Sequence, residues 1–380
     1  AELRRLGHEV MIAYLYGYGG DGVLPLGPGD LLLNGDERNP LETLIGVRPA
    51  LLQRLRRVIR EFRPDIIQVN GARTVKYGTL VQWLRGDAAG AVVYRNIGST
   101  GDWVRGLRRK VFYRMIMGRL DGTIAISRTS LEAMRPGRFR RAVYAMIPNG
   151  IDPHALTPAV ARAALRESAG AAVDDPVAVY LGSLVQEKRV DRAIEAVRLA
   201  RRSVPGLQLW IVGDGPLRGA LEEQVEKAGI RDAVHFFGTQ DDVASYLLAA
   251  DMLLLVSDTE GVPAVVLEAG YLGRPVIATR VGGIAECVLH ERTGLLVERR
   301  DADALVAAIT RLATNPRLRA TLGEQARGWV ADHFTMSKVA ALYLEFYHRV
   351  LARDQAARAL APVPAKPALD DDGASGVRLS

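Results

Sequence analysis

The chain is poor in cysteine and has no long apolar run. Its 380 residues include a single cysteine, Cys287, which excludes an internal disulfide framework and a cysteine-rich zinc site. One free thiol also fits a reducing compartment. No stretch approaches the ~18 consecutive apolar residues of a membrane-spanning helix. We therefore expect a soluble globular protein of the cytoplasm, long enough for two domains.

Histidine is scarce as well. The six histidines are scattered, and no two lie at the spacing of a metal-binding pair. The histidines therefore indicate no metal site.

Positive charge is concentrated in the first half of the chain. Residues 1–150 carry 24 Lys and Arg against 13 Asp and Glu, whereas the remainder has a net charge of −4. A basic half indicates an anionic partner. Nucleic acid is not expected as that partner, because neither an aromatic stacking platform nor a recognised nucleic-acid module is present.

Segment 103–119 is a candidate for contact with an anionic membrane. Its basic residues alternate with Trp, Leu, Val, Phe and Met at helical spacing. Such a helix can lie on the inner face of the plasma membrane, which would make the protein peripheral. The alternative is an ordinary domain helix whose arginines extend over the sheet.

Short apolar strands alternate with helices through both halves of the chain. Strands without charged residues, such as VAVYL and MLLLV, are typical of parallel sheets covered on both faces. The pattern predicts an α/β fold with two doubly wound, Rossmann-like domains facing across a cleft. The predicted parts are residues 1–155, residues 156–333, a helix over 334–354 that returns to the first domain, and a disordered tail over 355–380.

The beginning of the first domain departs from this rhythm. Residues 1–16 predict the end of a helix followed by a strand over 9–16, without the strand that normally precedes such a helix. We therefore expect the first domain to be incomplete at its start. The glycine-rich GYGGDG (17–22) is not a dinucleotide site, because two prolines follow where that motif requires a helix.

Two glutamates flank a strand–loop–helix segment in the second half. Glu260 follows the apolar strand MLLLVS, and Glu268 lies inside the helix that Pro263 is suited to begin. The free N–H groups of that helix would face a crevice at the carboxyl edge of the sheet, where anions bind. Two carboxylates beside an anion site suit a nucleotide-sugar, which has central phosphates and hydroxyls at both ends. The alternative is a loop glutamate and a solvated helix glutamate.

Two more strand-to-helix turns lie at the same predicted edge. Lys188 and Arg189 occupy the loop between one strand and its helix, where a lysine can reach a diphosphate. A solvated loop lysine is the alternative. Gly213, in GDGPLRG, could let the backbone approach a base or ribose.

The second half resembles the nucleotide-sugar-binding domain of family 4 glycosyltransferases, which have the GT-B fold. The resemblance covers about residues 145–335. The matching segments are IPNGID (147–152), GSLVQEKRVD (182–191), IVGDGPLR (211–218), FFGTQDDV (236–243), EGVPAVVLEAG (260–270), VGGIAE (281–286) and HERTGLLV (290–297).

The resemblance implies roles for individual residues. Glu260 would contact hydroxyls of the donor sugar, Glu268 would hold the ribose diol, and Lys188 would bind the diphosphate. Catalysis would rest on Glu260 and Lys188. The remaining implied donor contacts are Gly261, Val262, Pro263, Ala264, Val265, Ser183, Arg189, Gly213, Gly238 and Thr239.

Some positions depart from the family. Ser183 stands where an arginine is usual, and Arg189 is the candidate to replace that charge. In the first half, Asn96 and Ser99 lie near one position where the family commonly has a histidine, and Asn70 occupies another, so these three are weak candidates for the acceptor side. The alternative for Asn96 is a turn-forming residue at a strand end.

The resemblance implies a retaining hexosyltransferase of polysaccharide or cell-envelope biosynthesis that needs no metal and no cofactor besides its substrates. It would move a hexose from a nucleotide diphosphate sugar, with UDP favoured over GDP, to a hydroxyl of a glycan or lipid-linked glycan. Ser183 and the missing histidine keep an alternative open, namely a non-catalytic nucleotide-sugar-binding subunit that partners an active transferase. The donor sugar, the acceptor and the linkage stay undetermined.

Overall fold

The computed structural model describes residues 2–15, 29–33, 47–85, 90–96, 117–134 and 142–359, together with Val111 and Met115. The glycine-rich segment 17–22, Ser99 and most of segment 103–119 lie outside these residues. Two main parallel sheets organise the described part, one in each half of the chain. The predicted α/β class is confirmed.

The first sheet contains four parallel strands in the order β3-β4-β5-β6, and a separate parallel pair joins β1 to β2. Of the strand predicted over 9–16, the structure describes residues 9–15, and among these only β1 is paired in a sheet. Its partner β2 was not predicted. In chain order, the elements of this half are α1 (Glu2–Arg5), β1 (Ala13–Tyr14), β2 (Leu31–Leu32), α2 (Pro49–Phe62), β3 (Ile66–Asn70), α3 (Gly71–Arg85), β4 (Ala91–Asn96), β5 (Gly122–Ala125), α4 (Arg128–Met134) and β6 (Val143–Met146).

The second half begins with a short 3-10 turn, Pro153–Ala155, and a second such turn, Gln186–Lys188, follows its first strand. Its elements are α5 (Arg162–Ser168), β7 (Val177–Leu181), α6 (Val190–Ala200), β8 (Gln208–Val212), α7 (Arg218–Ala228), β9 (Val234–Gly238), α8 (Val243–Ala249), β10 (Met252–Leu255), α9 (Ala264–Tyr271), β11 (Val276–Thr279), α10 (Ile284–Cys287), β12 (Gly294–Val297), α11 (Ala302–Thr314), α12 (Pro316–His333) and α13 (Met336–Ala359).

The second sheet has six parallel strands in the order β12-β11-β10-β7-β8-β9. The chain builds outward from β7 to β9 and then returns to place β10 on the other side of β7. In an open parallel sheet, ligands bind at the carboxyl ends of the two strands where this reversal occurs. The fold therefore places the candidate crevice at the ends of β7 and β10.

Buried apolar side chains explain why these segments form a central sheet. Every residue of β7, β8, β10 and β11 is buried, and Tyr180 and Trp210 are fully enclosed. Strands without a solvated face need helices on both sides, as the alternating pattern predicted.

Helices α11 and α12 are separate, because Asn315 accepts a hydrogen bond from the Leu318 N–H and Pro316 begins α12. One helix boundary differs from the sequence analysis. The last helix runs to Ala359 rather than ending at 354, so residues 355–359 are helical and do not belong to a disordered tail. Residues from 360 onward are not described.

Helix α13 packs back onto the first sheet. Its Phe346 and Val350 are buried against Val93 and Ile124 of that sheet. A Cβ at Gly122 would lie only 2.7 Å from Phe346 Cζ, so a glycine allows this close packing. No helix in the described ranges is both long and apolar enough to cross a bilayer.

Candidate functional site

Lys188 and Glu260 meet at the crevice between β7 and β10. Lys188 Nζ lies 2.6 Å from Glu260 Oε1, and the Ser257 hydroxyl donates to the same oxygen at 2.6 Å. The Glu260 side chain is only 7% exposed, whereas that of Lys188 is 28% exposed. A buried carboxylate is stable only when paired and hydrogen-bonded, and both conditions are met. The cation therefore lies at the mouth of the crevice and the carboxylate behind it.

Tyr180 borders this pair from β7. Its hydroxyl donates to the Ser183 carbonyl at 2.9 Å. Burial first, and then the charge of Glu260, raise the pKa of the Tyr180 hydroxyl. Tyr180 is therefore a neutral donor that shapes the turn after β7.

The carbonyls of the loop between β10 and α9 face away from the crevice. The Gly261 carbonyl accepts a hydrogen bond from the Gly283 N–H at 2.9 Å, and the Val262 carbonyl accepts one from Asn149 Nδ2 at 2.7 Å. The Glu260 carbonyl is packed against Gly282, where a Cβ would lie 1.7 Å away. Because C=O and N–H point in opposite directions in a trans peptide, the N–H groups of Gly261 and Val262 face the other way.

Helix α9 adds two more N–H groups at the same place. Pro263 occupies the N-cap position, not the first helical position predicted for it, and Ala264 begins the eight-residue helix. Within the described residues, the N–H groups of Gly261, Val262, Ala264 and Val265 have no acceptor. Free N–H groups at the positive end of a helix dipole attract an anion such as a phosphate.

Glu268 lies in the second turn of α9 and is partly buried. In the part of the chain that the structure describes, its carboxylate has no hydrogen-bond or ion-pair partner. Burial raises the pKa of this carboxyl. A half-buried carboxylate with unused acceptor capacity is suited to bind a pair of hydroxyls.

Three glycines lie at the ends of neighbouring strands: Gly182 after β7, Gly213 after β8 and Gly238 at the end of β9. We call this group the glycine floor. Gly213 has φ +133°, and a Cβ there would lie 2.0 Å from the Gly182 carbonyl oxygen. The Gly213 N–H donates to the Gly238 carbonyl at 2.7 Å. The exposed residues Ser183 and Thr239 border this floor. The predicted contacts Gly213, Gly238, Ser183 and Thr239 are thus collected along one sheet edge.

Arg189 is engaged in ion pairs with two aspartates. Its guanidinium lies 2.6 Å from Asp191 and 3.3 Å from Asp258, which also pairs with Arg192 at 2.7 Å. The sequence could not reveal the pairing with Asp258, because Asp258 lies in a different loop. Replacement of the missing family arginine by Arg189 stays a prediction, and it would require these ion pairs to open.

The first-domain candidates are not collected at one point. Asn96 is 2% exposed, and its amide contacts Tyr94 and Met134. Asn70 is exposed at the end of β3 and accepts a hydrogen bond from Gln68. Ser99 lies outside the described residues. An acceptor role for these three residues stays a prediction.

Contacts between the two halves involve residues that the sequence analysis did not single out. Glu286 Oε1 accepts a hydrogen bond from the Arg128 N–H, at the start of α4, at 2.6 Å. Burial raises the pKa of the Glu286 carboxyl. Asn149 holds the Val262 carbonyl from the connection between the domains. The segments IPNGID and VGGIAE contained the signal for both residues, but their partners depend on the tertiary fold.

No group of three or more His, Cys, Asp and Glu side chains that could hold a metal occurs among residues placed by the structure.

Substitution of Gly282 with alanine is expected to weaken donor binding at least about tenfold, because the new Cβ would displace the Glu260 carbonyl and the loop behind it. Titration calorimetry with a nucleotide-sugar measures this effect. Gly229→Ala is the matched control, since Gly229 also has a positive φ, +64°, but has no atom within 4 Å of the added Cβ. That control should lose roughly 1–2 kcal/mol of stability without a change in affinity. Equal affinities for all three proteins would contradict the assigned loop.

Family models match both halves of the chain. Residues 161–329 match the model described as glycosyl transferases group 1, and residues 1–155 match that of glycosyltransferase family 4. The chain is 30% identical over 302 residues to the GDP-mannose-dependent alpha-(1-6)-phosphatidylinositol monomannoside mannosyltransferase of Mycolicibacterium smegmatis, covering 77% of this chain and 78% of that protein. It is 30% identical to the lipopolysaccharide core biosynthesis glycosyltransferase LpsD of Rhizobium meliloti, covering 80% and 81%.

A further relative matches over a shorter range. The N-acetyl-alpha-D-glucosaminyl L-malate synthase of Bacillus anthracis is 33% identical over 191 residues, so the match spans half of each protein. Solved structures share the architecture. Sucrose-phosphate synthase from Thermosynechococcus elongatus has a TM-score of 0.74 at 25% identity and covers 92% of this chain and 91% of that one. Anabaena HepE, solved with UDP, has a TM-score of 0.73 at 20% identity, with coverage of 90% and 100%.

Proposed function

The chain belongs to the family 4 glycosyltransferases and has the GT-B fold, and from this premise we propose that it transfers a hexose with retention of configuration and without a metal ion. It is a glycosyltransferase that uses a nucleotide-sugar donor. The proposed acceptor is a hydroxyl of a glycan or of a lipid-linked glycan. The observation that carries the proposal is the crevice that brings together the Lys188 ammonium, paired with Glu260, and the free N–H groups of Gly261, Val262, Ala264 and Val265.

The diphosphate is proposed to bind between Lys188 and the N-terminus of α9. Lys188 would then move from Glu260 toward the phosphate oxygens, since both are anions within reach of one flexible ammonium group. Glu260 would in turn accept hydrogen bonds from hydroxyls of the sugar. Glu268, deeper along α9, is proposed to hold the ribose diol. The glycine floor at Gly213 and Gly238 would accommodate the base.

Cleavage of the bond between the donor sugar and the phosphate oxygen leaves negative charge on the departing diphosphate. The oxygen of the acceptor hydroxyl would bond to C1 of the donor sugar, on the face from which the diphosphate leaves. The proton of that hydroxyl would pass to the departing phosphate oxygen. Ala264 and Val265, beside the sugar position, carry no nucleophilic side chain, which supports direct same-face attack. An α-linked donor would give an α-glycoside. Lys188 and the helix N-terminus would supply the charge stabilisation that a divalent ion gives in other transferases.

The acceptor class draws support from the relatives. Those that match most of their length are named for phosphatidylinositol mannoside and for lipopolysaccharide core synthesis. We propose by analogy a lipid-linked acceptor of the cell envelope, used at the inner face of the plasma membrane. UDP stays the expected carrier, and GDP is the alternative that the mannosyltransferase name indicates.

Membrane contact is proposed through segment 103–119. Within it Val111 and Met115, one helical turn apart, are 51% and 69% exposed. We expect co-sedimentation with phosphatidylglycerol vesicles at low salt, little with phosphatidylcholine vesicles, and a clear loss of binding for Met115→Glu. Met336→Glu is the matched control, because Met336 is an exposed methionine of α13. Equal binding to both lipids, or no effect of Met115→Glu, would contradict this contact.

The transferase proposal is tested by incubating the protein with UDP-glucose, UDP-galactose, UDP-N-acetylglucosamine or GDP-mannose and a membrane lipid extract. We expect release of the nucleoside diphosphate from one donor, undiminished by EDTA, and an α-glycoside by proton NMR. A β-glycoside would contradict retention, and loss of activity with EDTA would contradict metal independence. No release from any donor would favour the non-catalytic binding subunit.

A further inference from the structure

We propose that Arg95, a residue of the first domain, positions the donor loop of the second domain by fixing the orientation of the Asn149 side-chain amide. Arg95 lies in β4, and Asn149 lies in the connection between the domains. The loop that they control is Glu260–Pro263. The inference rests on the proposed function, because it takes this loop to be the donor site.

Two short hydrogen bonds link the first domain to the loop. Arg95 Nη2 donates to Asn149 Oδ1 at 2.6 Å. Asn149 Nδ2 donates to the Val262 carbonyl at 2.7 Å. All of these groups are at least partly buried, so water competes weakly for them. The three residues therefore form a chain of contacts from β4 to the residue two positions before α9.

The chemistry of arginine decides which way the amide faces. A guanidinium can only donate hydrogen bonds, so the Asn149 oxygen must face Arg95. The NH₂ group of the same amide is then left to face the Val262 carbonyl, which can only accept. Without Arg95 the amide could turn over, and its oxygen would meet the Val262 oxygen. Arg95 thus selects the one orientation that attracts the loop.

The direction of the Val262 carbonyl affects whether the loop can bind a phosphate. The peptide unit that carries it ends in the nitrogen of Pro263, which has no N–H. If this carbonyl turned into the crevice, its oxygen would repel a bound phosphate and no N–H would compensate. Asn149 holds it on the opposite side. The preceding carbonyl, of Gly261, is held independently by the Gly283 N–H.

Arg95 also lies near two tyrosines of α13, so a role only in packing that helix has to be distinguished. Tyr343 and Tyr347 of α13 lie near its charge, which opposes the rise in their pKa that burial causes. The Tyr347 hydroxyl donates to Gln68 Oε1 at 2.6 Å. If Arg95 served only to pack α13 on the sheet, disturbing Tyr347 would reproduce the effect of removing Arg95.

A double-mutant cycle tests the inference. The variants are Arg95→Met, Asn149→Ala and the double variant, and the measurement is the Kd of UDP-glucose and of GDP-mannose by calorimetry, beside UDP and GDP alone. We expect each single variant to bind the preferred sugar nucleotide about tenfold more weakly. We expect the double variant to bind no more weakly than Asn149→Ala, because Arg95 acts through Asn149. Arg95→Lys, which keeps a donor, should recover part of the affinity.

A second variant distinguishes loss of the hydrogen bond to Val262 from misfolding. Asn149→Asp still accepts a hydrogen bond from Arg95 but cannot donate to Val262, so it should lose affinity while its thermal midpoint stays near that of the wild type. Tyr347→Phe and the exposed Arg57→Met, on α2, should bind normally.

The outcomes separate the two claims. A wild-type protein that binds no probe would overturn the proposed function and this inference with it. Wild-type binding with an unchanged Kd in Arg95→Met, or independent additive losses in the double variant, would overturn this inference alone. A loss in Tyr347→Phe equal to that in Arg95→Met would also overturn it.

Discussion

Substitution of Lys188 with methionine is expected to lower kcat about 100- to 1,000-fold, the loss seen when one preorganised charge-stabilising donor is removed. The Lys188 ammonium lies 2.6 Å from Glu260 Oε1, and Glu260 belongs to the loop that leads into α9. The ammonium would therefore oppose the charge that develops on the departing diphosphate. The rate of nucleoside diphosphate release at saturating donor measures the effect. Binding of the donor should weaken much less than the rate falls.

This substitution also leaves the buried Glu260 carboxylate with Ser257 as its remaining described partner. We expect some loss of stability, because an uncompensated buried charge is costly. The double variant Lys188→Met with Glu260→Gln should regain that stability without regaining activity. If the double variant recovered wild-type activity, Lys188 would serve the fold and not the chemistry. Lys188→Arg, which keeps the charge, should retain more activity than Lys188→Met.

Substitution of Glu268 with alanine is expected to weaken nucleotide-sugar binding about 100-fold or more, to the point that calorimetry detects none. Two hydrogen bonds from ribose hydroxyls to one carboxylate would each be charge-assisted and worth about 1.5–3 kcal/mol. The fold should survive, because the Glu268 carboxylate has no partner within the described ranges. Glu223→Ala on α7 is a matched control, since it removes an exposed helix glutamate outside the crevice. An unchanged affinity would remove Glu268 from the site.

The same carboxylate predicts a pH dependence of binding. Burial raises the pKa of Glu268, so its carboxyl is protonated at a higher pH than an exposed glutamate. The ionised form is the one that accepts two hydroxyl protons. Affinity for the nucleotide should therefore fall as the pH drops through this raised pKa. In Glu268→Gln the affinity should be lower throughout, and this part of the pH dependence should be absent.

The sequence predicted the parts of the site that are local in the chain. Glu260 and Glu268 belong to one strand–loop–helix segment, and Lys188 follows the strand beside it, so the parallel sheet brings them to one edge. The order of apolar strands was also sufficient for the α/β class. The family resemblance implied roles that the pattern alone left open, and these roles stay predictions.

The orientation of a side chain could not be predicted where its partner lies far away in the sequence. Arg189 follows the same strand as Lys188, yet its guanidinium pairs with Asp258 of a different loop. Asn96 lies at a strand end that could face a cleft, but the packing of Tyr94 and Met134 encloses it. The contact between Asn149 and Val262 joins residues far apart in sequence, and no local pattern indicates it.

A crystal structure of the wild-type protein with UDP, and a second with GDP, tests the central claim most directly. The phosphates are expected within hydrogen-bond distance of Lys188 Nζ and of the N–H groups at the start of α9. The ribose hydroxyls are expected on Glu268. A nucleotide bound with its phosphates away from α9, with the ion pair of Lys188 and Glu260 left intact, would contradict the account.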